Sequence, residues 1–201
     1  PGCESFGIVY SIFEDDRGNI WLGSKGDGAV RLEPSGVDGR YTATHFRHRD
    51  GDRNSLSSDN IYSITQDKDG RMWFGTWGGG LSMLESPDSR SFRTVYDDFP
   101  DYPLENGDRV RYVYCMPDGR MLVATIAGLI WFYPDATPEL TKFHFVQKIP
   151  GDIHSLGNND IIYIFADAAG DTWLCTFGGG INRIHFEDDI PRYDIVSAAD
   201  G

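Results

Sequence analysis

The 201-residue chain is short of basic residues, of cysteine and of long apolar runs. Each shortage argues against something. Eighteen Lys and Arg stand against 31 Asp and Glu, a formal charge of −13. A nucleic-acid binder needs a cationic stripe to displace phosphate counterions, and none is supplied here. The same balance disfavours an anionic membrane surface, so any membrane link would run through a larger parent protein. The ordinary meaning of the acidity is solubility. The three cysteines, Cys3, Cys115 and Cys175, are far apart and form no CxxC. An odd number cannot pair fully within the chain, so free, packed thiols are expected and the redox compartment stays open. No stretch of about 18 apolar residues is present, so no membrane-spanning helix is expected. The opening PGCESFG has neither a basic n-region nor an apolar h-region. A signal peptide is therefore lacking, already removed, or part of something longer.

The common catalytic signatures are missing as well. There is no HExxH, GxSxG, P-loop or Rossmann fingerprint. GSKGDG, residues 23 to 28, joins two expected strands instead of opening a helix, so it reads as a turn and not a phosphate cradle. Asp67-Lys68-Asp69-Gly70 starts like a calcium loop but lacks its third acid and its terminal Glu. His45 and His48 sit three apart on an expected strand, hence on opposite faces. His144, His154 and His185 are scattered and lack an evident nucleophile partner. No catalytic residue, metal or cofactor is expected.

What the chain has in plenty is glycine, 24 residues, with aromatics at 13%. Such a composition supports a sizeable core cut by frequent turns. It also repeats itself. Ser55–Leu84, SLSSDNIYSITQDKDGRMWFGTWGGGLSML, aligns without a gap on Ser155–Ile184, SLGNNDIIYIFADAAGDTWLCTFGGGINRI, with 11 identities in 30 positions. EDDRGNIWLGSKGDGAVRL, residues 14 to 32, and CMPDGRMLVATIAGLIWF, residues 115 to 132, are looser copies. Gly18, Gly70, Gly119 and Gly170 follow at intervals of 52, 49 and 51 residues, so the unit is about 50 residues and occurs four times.

The second unit shows the plan. Ile61–Gln66 alternates and is rich in β-branched and aromatic residues, which reads as a strand. Asp67–Gly70 is a tight turn. Met72–Thr76 is a second strand, Gly78–Gly80 a turn, Leu81–Leu84 a third strand and Ser91–Tyr96 a fourth. Fourth strands of the other units are expected near Tyr41–Phe46, Lys142–Val146 and Arg192–Val196. No segment has a convincing helical period. Four antiparallel strands per unit in tandem predict an all-β fold: a β-propeller of four tandem four-stranded blades, spanning about 6–46, 61–96, 109–147 and 161–196 as a single segment. Trp21, Trp73 and Trp173 share one position of the second strand and are expected to fill the gaps between blades. Leu122 takes that position in the third unit, which predicts looser packing there. No Trp-Asp pair occurs, and the Trp precedes the glycines, so neither the WD nor the kelch pattern applies.

The pattern S-L-x-x-(D/N)-(N/D)-I-x-x-I-x-x-D-x-x-G-x-x-W-x-x-T-x-G-G-G resembles the two-component regulator propeller repeat. SLSSDNIYSITQDKDGRMWFGTWGGGLSML and SLGNNDIIYIFADAAGDTWLCTFGGGINRI carry it in full. VYSIFEDDRGNIWLGSKGDGAVRL carries it partly, and VRYVYCMPDGRMLVATIAGLIWF weakly. The resemblance covers roughly residues 6 to 186. It implies part of a larger, seven-bladed propeller that serves as the periplasmic sensor of a Bacteroidetes-type hybrid histidine kinase. In that family the usual cue is an oligosaccharide. The kinase itself is not in this chain, and the segment is not expected to be an enzyme.

Loops on a rigid scaffold are where binding residues concentrate. Trp77 and Phe177, beside the glycine triplets, are candidate platforms for a sugar ring. Asp59, Asn60, Asn158, Asn159, Asp160 and Arg109 are candidates for a hydrogen-bonding rim. The competing structural reading packs both aromatics between blades and spends the Asx side chains on turns. Two other functions stay open. One is an interaction scaffold, including homo-oligomers formed through unburied blade faces. The other is a propeller enzyme similar to streptogramin lyases, for which His154 is the best-placed histidine.

Overall fold

The computed structural model describes residues 7–36 and 39–196. Cys3 falls outside them. Cys115 and Cys175 are half-buried free thiols. The fold is all-β, in four sheets of four strands that meander in chain order. The first blade is β1 (Val9–Glu14), β2 (Ile20–Ser24), β3 (Ala29–Pro34) and β4 (Tyr41–Phe46). The second is β5 (Ile61–Gln66), β6 (Met72–Thr76), β7 (Gly80–Leu84) and β8 (Phe92–Thr94). The third is β9 (Val110–Cys115), β10 (Met121–Thr125), β11 (Leu129–Phe132) and β12 (His144–Val146). The fourth is β13 (Ile161–Ala166), β14 (Thr172–Thr176), β15 (Ile181–Glu187) and β16 (Ile190–Val196). The innermost strands β1, β5, β9 and β13 neighbour one another in that order.

The turn from first to second strand shows why the repeat is written as it is. Asp67 Oδ1 accepts the backbone N–H groups of Asp69 and Arg71, at 3.0 and 2.9 Å. Its Oδ2 accepts the Trp73 indole N–H at 2.8 Å. Asp15 does the same for Trp21, and Asp167 for Trp173, each at 2.8 Å. One carboxylate thus closes a turn and satisfies an indole that would otherwise be buried without a partner. The third blade has Met116 and Leu122 at the two places, so donor and acceptor disappear together and neither is orphaned.

Two of these carboxylates, Asp15 and Asp167, give the fold an acid limit. Burial acts to raise the Asp15 carboxyl, but bonds from the Trp21 indole, from Asn19 and from the Arg17 backbone outweigh it and hold the pKa below the usual 3.8. Asp167 is held down chiefly by the Trp173 indole bond. A carboxyl with a depressed folded-state pKa stabilises the fold above its unfolded value and loses that contribution as pH falls through the folded one. Melting temperature should therefore drop as pH is taken below about 4. Asp15→Asn, which cannot titrate, should flatten that acid limb in thermal melts. An unchanged limb would remove Asp15 from the account.

Three apolar layers lie between successive blades. Trp21, Ala29 and Phe46 of the first blade meet Ile61, Ile64, Met72 and Phe74 of the second. Trp73, Leu81 and Met83 meet Val110, Val113, Met121 and Val123. Leu122, Leu129 and Trp131 meet Ile161, Ile164, Leu174 and Tyr193. The third layer is not loose, as the missing tryptophan had suggested. Leu122 is fully buried, and β11 supplies an indole from Trp131, over which the Arg120 guanidinium lies at 5.2 Å.

Two further details depart from the sequence reading. β8 is three residues long, because Asp98 takes up the Thr94 backbone N–H and the chain turns away at 94–98. The loop into β9 contains a one-turn helix, α1 (Leu104–Gly107). Its start is set by Pro103, whose carbonyl accepts the Gly107 N–H at 2.9 Å. Buried Tyr102 pins its end by donating to the Gly107 carbonyl at 2.7 Å. Four residues are too few to leave a period in the sequence.

Candidate ligand site at the mouth of the inner groove

The loops after each second strand and the loops entering each first strand are tied together on one side of the molecule. Gly26 and Gly28 donate their backbone N–H groups to the Asp59 carbonyl, at 3.0 and 2.9 Å. One blade on, Gly78 and Gly80 donate to the Asp108 carbonyl, at 2.8 and 3.0 Å. Gly78 and Gly80 have φ of 90° and 63°, a left-handed region that side chains resist. Gly79 has no such φ, but a Cβ there would fall 2.8 Å from both Ser57 Oγ and Thr76 Oγ1. The glycine triplet is thus consumed by the clasp between blades.

The same clasp occupies several predicted rim residues. Asp59 Oδ1 accepts the His48 backbone N–H at 2.7 Å, and Asn159 Oδ1 accepts that of Lys148 at 2.6 Å. Asn158 Oδ1 closes an Asx turn onto the Asp160 N–H at 3.0 Å. The Asn60 carbonyl accepts the Trp77 N–H at 2.9 Å, and Asn60 also bridges to Lys25. Asp160 takes Arg111 in a two-pronged ion pair at 2.9 and 3.2 Å. The two predicted platforms differ sharply. Phe177 is 69% exposed on the last blade. Trp77 is half-buried, with Tyr62 stacked on it at 5.2 Å and the guanidinium carbons of Arg111 and Arg109 at 5.3 and 5.8 Å from its ring centre.

That cluster draws in residues the loop-based reading passed over. Tyr10, Tyr62, Arg111 and Ile162 occupy one column of the repeat, the second residue of each innermost strand. Pairing in every blade skips this residue, so each is the extra residue of a β-bulge. Bulges re-aim side chains. Here they lie along the inner groove, where Tyr10 meets Tyr62 at 4.5 Å and Tyr62 continues to Trp77. Tyr112 and Tyr163, one column further, approach at 4.4 Å. The groove of about 370 Å³ is lined by Tyr10, Tyr62, Arg111, Tyr112 and Tyr163 from all four inner strands. Burial raises the Tyr112 hydroxyl well above its ordinary range, with its contact to Tyr163 adding to the effect. The Tyr112 phenol is therefore neutral at physiological pH. Arg109 is half-exposed and lies 3.8 Å from the Asp108 carboxylate. The repeat alignment would have exposed this column, since the same position recurs about every 50 residues.

The histidine needed by the lyase-like reading lies elsewhere. His154 lines a cleft of about 350 Å³ with His185, Glu187, Arg192 and Asp194, mostly on the outer strands of the fourth blade. Among the described residues no group of three His, Cys, Asp or Glu is placed to hold a metal ion.

Four stacked four-stranded blades around an inner groove define a β-propeller segment. Solved propellers share the fold. Virginiamycin B lyase from Staphylococcus aureus, in a catalytically inactive form with quinupristin, superposes with a TM-score of 0.66 at 14% identity, over 99% of this chain and 59% of that one. PorZ of Porphyromonas gingivalis, a surface component of the type-IX secretion system, gives 0.61 at 15%, over 93% and 28%. The extracellular domain described as that of a hybrid two component system from B. thetaiotaomicron gives 0.46 at 19%, over 88% and 28%. The chain thus spans less than two thirds of each of these structures. No curated protein matches it in sequence. Residues 4–26 and 55–78 match the family model described as two component regulator propeller, and the chain carries that repeat. The matched segments are the first and second copies; the fourth is not among them.

Proposed function

We propose that this chain is part of the ligand-sensing propeller of an extracytoplasmic two-component sensor, and that it takes an oligosaccharide at the mouth of the inner groove. The observation that carries the reading is the aromatic run Tyr10–Tyr62–Trp77, flanked by Arg109 and Arg111. Aromatic faces accept the apolar face of a sugar ring, while guanidinium and phenol groups supply donors for its oxygens. The cluster is assembled from three blades. A ligand that spans it would favour one relative arrangement of those blades, which is the differential binding a signal requires. A histidine kinase elsewhere in the parent would read that shift. The regulator repeat supports this class of role.

Calorimetric titration with a panel of neutral and acidic oligosaccharides from plant and animal glycans tests the reading. Trp77→Ala and Arg109→Ala should each weaken binding about tenfold, on the order of 1.4 kcal/mol. Arg109→Ala should leave the melting temperature nearly unchanged, because its side chain is half-exposed. Absence of heat across the whole panel would contradict the proposal.

A further inference from the structure

The junction of the third and fourth blades breaks the repeat at two positions. In the turn from first to second strand, Asp15, Asp67 and Asp167 share one position, and Met116 holds it in the third blade. At the start of the second strand, Ile20, Met72 and Met121 share one position, and Thr172 holds it in the fourth. The first change leaves a donor open. In the second blade Arg71 gives its Nε–H to Asp67 Oδ2 at 2.7 Å. Arg120 is the equivalent arginine, 5% exposed, with Asp189 on Nη2 at 2.6 Å and Asp118 on Nη1 at 3.2 Å. Its Nε has no partner among the described residues. The second change sets a hydroxyl at an apolar place. Thr172 is 2% exposed, and its Oγ1 is likewise unpartnered. Both residues line one cavity of about 510 Å³ between the two blades. Buried polar atoms are nearly always satisfied, so two open ones on a single cavity point to an occupant.

The lining sets the chemistry of that occupant. Asp118, Asp171, Asp188 and Asp189 also line the cavity, so an anion is repelled. A bare cation offers the Arg120 N–H no acceptor. A neutral, hydroxyl-rich molecule meets both demands. Its oxygens accept from Arg120 Nε and Thr172, and its hydroxyls donate to the carboxylates. Asp188 has no cationic partner among the described residues, which leaves its oxygens open to such donors. Ile184 and Phe186 supply an apolar wall for the C–H face of a ring. We propose that this cavity is a second binding site, for a neutral sugar of one or two rings. Its volume is within the range of small-molecule pockets. It is built on the turns from first to second and from third to fourth strand. The groove mouth lies at the opposite ends of those strands, so the two sites are separate and the inference is independent of the groove proposal.

Ligand-observed NMR and calorimetry of the full chain test this, with glucose, galactose, mannose, N-acetylglucosamine, maltose and cellobiose at millimolar concentration. At least one should bind. Thr172→Val keeps the side chain's shape and removes its hydroxyl, and should weaken that binding about tenfold. Met116→Asp restores the repeat's acceptor for Arg120 Nε. It should weaken binding by at least as much without lowering the melting temperature. Trp77→Ala, in the groove, should leave the affinity of this site unchanged. No binding across the panel, binding that survives either Thr172→Val or Met116→Asp, or binding lost with Trp77→Ala would each overturn the proposal.

Discussion

Trp73→Ala is expected to destabilise the fold by about 3–5 kcal/mol, the usual cost of removing a large buried aromatic. In a domain of this size that is a fall in melting temperature on the order of 10 °C. Trp73 is 1% exposed and packs on Phe132 and Phe99 at 5.1 and 5.6 Å. Its loss would open a cavity between the second and third blades and leave Asp67 Oδ2 without its indole donor. Trp173→Ala is the control. Its side chain sits at the same repeat position with the same bond to Asp167, but no further blade of the chain covers it. It should cost less than half as much in chemical denaturation. Equal losses would show that the tryptophans act within their own blades and not between them.

Gly75→Val should cost about 1–3 kcal/mol for the opposite reason, overpacking. A Cβ at Gly75 would lie 2.6 Å from Val110 Cγ1 and 2.8 Å from Val113 Cγ2. Gly23 stands in the same relation to Ile61, at 2.8 Å. Both glycines mark where an innermost strand of the next blade comes closest. The third blade already has Ala124 at this place, so a methyl group can be accommodated there. Gly75→Ala should therefore fall between wild type and Gly75→Val in urea midpoint. A valine variant as stable as the wild type would mean that the blades are not in close contact here.

These pairs explain how much of the fold could be read from the sequence. β-strand alternation and the Asp-x-x-Gly turn are local, and they placed Ile61–Gln66, Met72–Thr76 and Tyr41–Phe46 as the structure has them. Asp67 is legible as a turn residue, and its second duty only from a recurrence. The six-residue offset to Trp73 recurs at Asp15 and Trp21 and at Asp167 and Trp173, and that recurrence was the available signal. The candidate site was less legible. Loop position alone selected Asp59, Asn158 and Asn159, whose side chains hold backbone N–H groups. Position alone also gave no way to tell Trp77, which is held among Tyr62, Arg109 and Arg111, from Phe177 at an open end. Tyr10, Tyr62 and Arg111 escape a loop-based reading because they sit on strands, where a β-bulge breaks strict alternation.

Hydrogen exchange, resolved by strand, tests the stacked-blade arrangement most directly. Strands β5 and β9 are innermost and flanked by blades on both sides, so their amides should exchange slowest, near the global unfolding limit. Strands β4 and β16, at the outer edges, should exchange orders of magnitude faster. Protection in β4 or β16 equal to that in β5 and β9 would contradict the arrangement, and with it the groove in which the ligand is placed.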